Sequence, residues 1–201
     1  MVRKPEYYGI RIKERKDIVR YLDDFLDDND TWYSLKSKNR VQSEFHITVG
    51  HKNDASRSGA AWYWLGEKLD AEYAGSILTN GKLANLTDHC DVTLVRAVVF
   101  DRKLVTVEVK MGQMYVRNNT GGFSRQQLVL KPTVEHLHIT IGTTSNAIKP
   151  FQSNVLLREL HSRYGKTPQE GEYQLKSGSA EVIRLGRKLN KQQLFILFSS
   201  R

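Results

Sequence analysis

Residues 135–142 read Glu135-His136-Leu137-His138-Ile139-Thr140-Ile141-Gly142, and residues 45–50 read Phe45-His46-Ile47-Thr48-Val49-Gly50. From His46 to Gly50 and from His138 to Gly142 the two stretches agree at four of five positions and differ only in Val for Ile. Both are dense in β-branched residues, which fit a pleated, half-buried strand. Side chains on a strand alternate between faces with a period of two. His46 and Thr48 therefore share one face, and His138 and Thr140 share one face of their own strand. Ile47, Val49, Ile139 and Ile141 take the other, the face that anchors a strand against helices. A duplicated polar pair on the free face is expected to look into a cleft.

Outward from these strands the pattern is mixed. Residues 7–12 read as a strand, and residues 14–28 place Ile18, Val19, Leu22, Phe25 and Leu26 at helical spacing. A polar loop over 51–59 leads into a helical stretch over 62–74, where Trp62 and Trp64 are more readily core than a platform for bases. Residues 92–100 and 104–109 read as a hairpin joined by Asp101-Arg102-Lys103. Residues 117–126 read as a Gly-rich loop, residues 152–164 as a helix with Val155, Leu156 and Leu160 inward, and 180–185 and 193–199 as two late strands. Hairpin-length connections argue for an α+β fold rather than a parallel sheet. No linker divides the chain, so residues 1–201 are expected to form a single domain.

Lys plus Arg number 31 against 22 Asp plus Glu, a net charge of +9. That excess attracts polyanions and, in a nucleic-acid enzyme, holds substrate phosphates. Asp23, Asp24, Asp27, Asp28 and Asp30 cluster, which leaves the remaining surface more basic still. No apolar run approaches the roughly 20 residues that a membrane span requires, and the N-terminus lacks the apolar stretch of a secretory signal. Cys90 is the only cysteine, so no disulfide forms within the chain. These features lead to an expectation of an intracellular protein, in cytoplasm or nucleus, without membrane contact.

Two His-x-Thr motifs about ninety residues apart resemble the signature of the 2H phosphoesterase superfamily. More narrowly, residues 135–143, the following Asn146-Ala147-Ile148-Lys149-Pro150-Phe151-Gln152-Ser153 and the early Tyr7-Tyr8-Gly9-Ile10 are similar to the C-terminal 2',3'-cyclic phosphodiesterase domain of fungal tRNA ligases. The resemblance covers essentially the whole chain. It implies a bilobal fold of two antiparallel sheets with flanking helices around a central cleft, related by a pseudo-two-fold. It also implies hydrolysis of a 2',3'-cyclic phosphate at an RNA end, a tRNA exon, to a 3'-hydroxyl and 2'-phosphate. In such ligases the activity is joined to kinase and ligase domains. Neither signature is present here: Gly75 to Leu83 has the wrong glycine spacing for a P-loop and Leu83 where Ser or Thr is needed. A monomer fused to those domains in the full-length protein is the expectation.

The chemistry agrees with the residue types. Opening a cyclic phosphate needs a base to activate water and an acid to protonate the departing ribose oxygen, and imidazole serves either role near neutral pH. Threonine hydroxyls donate to the non-bridging oxygens as charge builds there. His138 is assigned to the water and His46 to the leaving oxygen, with exchange of the two roles left open. His46, Thr48, His138 and Thr140 are thus the expected catalytic set, with no metal and no cofactor. Lys52, Arg57, Tyr115, Arg117, Arg125 and Lys149 are candidate substrate contacts, with Phe123 a further ring for a base. Two alternatives stand beside this reading: a module that binds cyclic nucleotides or RNA ends without turnover, and a metal site built on His136 and His138 with His46 or His51. The metal reading leaves the threonines and the repeat unexplained. His51, His89, His136 and His161 are otherwise read as surface or packing residues.

Overall fold

The structure, a computed structural model, describes residues 5–51, 83–117, 123–126 and 134–198. In chain order they form β1 (Pro5–Ile12), α1 (Arg15–Leu26), α2 (Asp30–Ser37), β2 (Phe45–His51), β3 (Leu83–Phe100), β4 (Leu104–Arg117), β5 (Phe123–Gln126), β6 (His138–Thr143), α3 (Gln152–Tyr164), β7 (Gly171–Leu175) and β8 (Gly178–Phe198). The expected helix over 62–74, with Trp62 and Trp64, lies outside the described residues.

Every strand pairing is antiparallel, in the order β1-β2-β6-β4-β3-β8-β7, with β5 added on β4. β1 also pairs with β8, Tyr8 opposite Ile196 and Ile10 opposite Leu194. That last pairing closes the sheet into a barrel, which removes the open edges a six-strand sheet would otherwise present. The fold is α+β, as expected, but dominated by sheet. The expected two sheets about a central cleft are not what the described residues form. Because β1 bonds to both β2 and β8, and β2 bonds to β6, the strands that carry the two motifs belong to one continuous sheet.

Alternation sorts the two faces of that sheet. Ile10, Ile47, Ile139, Val107, Ala97 and Ile196 point inward and share one core with Ile18, Leu22 and Leu26 of α1 and Trp32 and Leu35 of α2. Burying each such aliphatic side chain is worth about 1.5–3 kcal/mol. The opposite face carries Val98, Phe100, Leu104 and Val182 in a smaller cluster under Leu156, Leu157 and Leu160 of α3. Beyond the reach of α3, that second face is left to Tyr7, His46, Thr48 and Phe195.

Several local readings change. Phe25 is exposed and packs edge-on against Tyr21 at 4.9 Å, while Ile18, Leu22 and Leu26, spaced by four, carry the α1 face. Val155 is exposed and Leu157 takes its place inward. α2 is an element beyond those expected: Asn29 caps it by accepting from Trp32 N at 3.0 Å, and Asp30 opens its first turn. β5 lies in the stretch read as a loop. The two late strands are one, β8, bent by bulges where Asp91 Oδ1 accepts from the Lys191 amide at 2.9 Å.

Candidate active site

β2 and β6 hold the repeat as the alternation predicts: Ile47, Val49, Ile139 and Ile141 are buried, and His46, Thr48, His138 and Thr140 are exposed or half-buried on the second face. Ile47 stands opposite Ile139 in the β2–β6 pairing. Continuing that antiparallel register one residue each way sets His46 across from Thr140 and Thr48 across from His138. The two imidazoles are then diagonal neighbours, a relationship that separates residues by about 7–8 Å, with Cβ atoms somewhat closer. All four side chains line one cleft of about 580 Å³, together with Tyr7, His51, Phe151 and Asn154.

The glycine that ends each motif has a steric cause. A Cβ on Gly142 would lie 2.5 Å from the Arg40 carbonyl oxygen, and one on Gly50 would run into the Tyr8 ring. Neighbouring backbone and ring come this close only because no side chain intervenes.

His138 is fixed by the backbone just before its strand. Its Nδ1 lies 2.7 Å from the His136 carbonyl oxygen. A carbonyl only accepts, so Nδ1 carries the hydrogen and Nε2 is the nitrogen that exchanges a proton. Burial depresses the His138 pKa. The His136 carbonyl and Glu108 oppose the shift, and the His46 and His136 charges add to it.

His46 sits between two rings, stacked on Tyr7 (6.3 Å, 23°) and edge-on to Phe195 (6.1 Å, 85°). Desolvation lowers its pKa, with Glu44 opposing and Arg11 assisting. Thr140 Oγ1 lies 2.9 Å from Ser153 Oγ in the first turn of α3, where Ser153 is wholly buried. With Ser153 as donor, the Thr140 hydrogen is directed at the Pro150 carbonyl oxygen at 3.4 Å, a long bond that a ligand oxygen in the cleft would replace. Thr48 has no partner of this kind described.

Behind His138 is a buried charged group. Arg96 donates to Glu108 Oε2 at 2.7 Å, His161 Nε2 donates to Glu108 Oε1, and His161 Nδ1 lies 3.0 Å from the Gly165 carbonyl oxygen. The His136 ring stacks on His161 at 4.3 Å and 8°. Ligand atoms of Glu108, His136 and His161 lie within 4.8 Å of one another. Parallel rings do not converge their in-plane nitrogens on one cation, however, and His161 Nε2 is turned onto the carboxylate, so this is an ion pair in form. Burial opposes both charges, yet the mutual bonds prevail: the Glu108 pKa is lowered and the His161 pKa is raised.

The remaining expected contacts scatter. Lys52 and Arg57 lie outside the described residues. Arg117 and Arg125 are placed by backbone alone, Arg117 opposite Phe123 and Arg125 opposite Tyr115. The Tyr115 hydroxyl reaches Asp91 Oδ2 at 3.4 Å and Lys191 lies over its ring, apart from the cleft lining. Lys149 is exposed just before α3, its amide capped by Gln152 Oε1. Tyr7 and Phe151 in the cleft lining, Phe195 against the His46 ring and Ser153 against the Thr140 hydroxyl are not among the contacts expected from the sequence. Tyr7, Phe151 and Ser153 lie in stretches that carry the family resemblance, whereas Phe195 has no such local signal.

The family model described as the fungal tRNA ligase phosphodiesterase domain matches residues 1–184. The chain is similar to a tRNA ligase of Candida albicans, 28% identical over 202 residues, covering 96% of this chain and 22% of that protein. It is similar also to tRNA ligase 1 of Schizosaccharomyces pombe, 25% identical over 157 residues, covering 78% of this chain and 17% of that protein. The chain thus spans about a fifth of the length of these curated relatives. Among solved structures, one described as the crystal structure of fungal RNA kinase shares the fold at a TM-score of 0.77 and 24% identity, over 99% of this chain and 46% of that one.

Proposed function

Because the chain belongs to the fungal tRNA ligase phosphodiesterase domain family, we propose that it hydrolyses 2',3'-cyclic phosphate RNA ends, with both His-x-Thr pairs acting on one phosphorus in the cleft. The observation that carries this reading is the Ile47–Ile139 pairing, which sets the motifs side by side about a local two-fold.

In the proposed reaction His138 Nε2 takes a proton from water, the hydroxide attacks phosphorus, and the P–O3' bond breaks as His46 gives its proton to the ribose oxygen. The products are a 3'-hydroxyl and a 2'-phosphate. His138 suits the base because its Nδ1–H is held by the His136 carbonyl, which leaves Nε2 as the nitrogen that accepts a proton. Thr48 and Thr140 donate to the two non-bridging oxygens. Both proton transfers are carried by protein groups, so no metal enters the scheme. Phe151, exposed at the cleft, offers a ring on which the terminal base stacks. Lys149 and the basic residues Lys52, Arg57, Arg117 and Arg125 remain proposed contacts to flanking phosphates. The substrate is proposed as a tRNA exon end, handled by an intracellular monomeric domain within a longer protein that also bears kinase and ligase activities.

The test is incubation of an RNA ending in a 2',3'-cyclic phosphate with the protein and EDTA. A 2'-phosphomonoester is expected. Unchanged RNA would favour the binding-module alternative, and a 3'-phosphate product would exchange the leaving oxygen.

A further inference from the structure

Across β6, β4 and β3 the residues His138, Glu108 and Arg96 occupy one row: His138 pairs with Glu108 and Glu108 with Arg96. Arg96 and His161 hold the two Glu108 oxygens separately. His161 has an acceptor at each nitrogen, a carboxylate at Nε2 and the Gly165 carbonyl at Nδ1. Each nitrogen must then donate, which only the imidazolium can do. At 8% exposure this cation has little water to rely on and depends on Glu108.

The imidazolium is the surface on which the His136 ring lies flat, at 4.3 Å and 8°. The backbone of that same residue supplies the carbonyl that takes the His138 Nδ1 hydrogen at 2.7 Å. The His136 ring and its carbonyl are therefore two ends of one residue, the ring seated on the ion pair and the carbonyl holding the imidazole in the cleft.

We infer that Arg96, Glu108 and His161 form a buried brace which, through the stacked ring of His136, fixes the orientation and tautomer of His138; they are positioning residues for the reaction proposed above. This rests on His138 being the reacting imidazole. The physical need is plain: a base whose Nδ1 loses its acceptor samples both tautomers, and in the wrong one Nε2 carries hydrogen and cannot take a proton. Burial and the His161 charge keep His136 itself largely neutral, so its ring stacks on the cation instead of repelling it.

The experiment combines ring-nitrogen NMR of 15N-histidine-labelled protein with steady-state kinetics on a 2',3'-cyclic nucleotide. The variants are His161→Gln, which keeps volume, His136→Ala, which removes the ring but keeps the carbonyl, and their combination. In the unsubstituted protein His161 should show two protonated nitrogens at neutral pH, and His138 should show hydrogen on Nδ1 alone. Each single variant should spread His138 over both tautomers and lower kcat about tenfold or more, with KM changed by less than about twofold. The double variant should lose no more than the worse single, since both act through one stack. A neutral His161, an unchanged His138 tautomer in folded single variants, or fully additive losses would overturn the brace. The spectra need no turnover, so an inactive protein would sink the functional reading while leaving the brace decided by its own signals.

Discussion

Ile47 and Ile139 face each other directly across the β2–β6 pairing, and neither exposes any surface. Their burial is what turns His46, Thr48, His138 and Thr140 outward together, so the geometry of the site rests on a hydrophobic contact beneath it.

Ile139→Ala should therefore destabilise the fold by about 2–5 kcal/mol, as core truncations of this size do, read as a lowered urea midpoint. Gly142→Ala should cost about 1–3 kcal/mol by the overpacking against the Arg40 carbonyl. A wild-type urea midpoint in both would contradict the packing described.

His46→Ala and His138→Ala should each lower kcat on the order of a hundredfold or more. Ser153→Ala should act more weakly and only through Thr140, so that it adds nothing to the loss in Thr140→Ala. Turnover that survives the double histidine variant excludes both as acid and base.

Both imidazoles titrate below the ordinary histidine value, chiefly through desolvation. A depressed pKa leaves each ring neutral down to lower pH. The bell of log kcat/KM against pH should thus have its optimum below about 6.5, the ordinary histidine pKa. The kcat profile should lie higher, since a bound phosphate anion favours imidazolium. Glu108 raises the His138 pKa, so Glu108→Gln should move the limb belonging to His138 further toward acid. A kcat/KM profile still climbing through pH 8 would refute the assignment.

The Glu108–His161 pair gives stability its own pH signature. The Glu108 pKa is lowered, so its contribution is present above the usual carboxylate value and fades as pH falls through the folded pKa. The His161 pKa is raised, so its contribution is complete below the usual histidine value and is lost as pH rises through the folded pKa. The stability difference between wild type and His161→Gln should be largest in the mildly acidic range and shrink at alkaline pH. A difference that grows with pH would show that His161 is not held as a cation.

Phe151→Ala should raise KM for a cyclic-phosphate nucleotide by roughly five- to a hundredfold, the range of one lost base stack, with kcat nearly unchanged. An equal loss for a cyclic phosphate that lacks a base would show that the ring serves the chemistry instead.

Much of the site was legible because a strand writes its geometry into the sequence: with a period of two, His46-Ile47-Thr48 and His138-Ile139-Thr140 declare which side chains share a face before any partner strand is known. Helical spacing likewise located α1 and α3, though it set Phe25 and Val155 inward, since two neighbouring residues at a face's margin differ only in what packs there. Which strands meet is a different matter. The closure of β1 on β8, the joining of β2 to β6, and the assembly of Arg96, Glu108, His136 and His161 bring together residues far apart in the chain, and no local periodicity records a pairing of that kind. The sequence determined two matched His-Thr faces; only the tertiary structure decided that they are adjacent in one sheet and that a buried ion pair stands behind one of them, because adjacency depends on long-range packing and hydrogen bonding that local residue patterns do not carry.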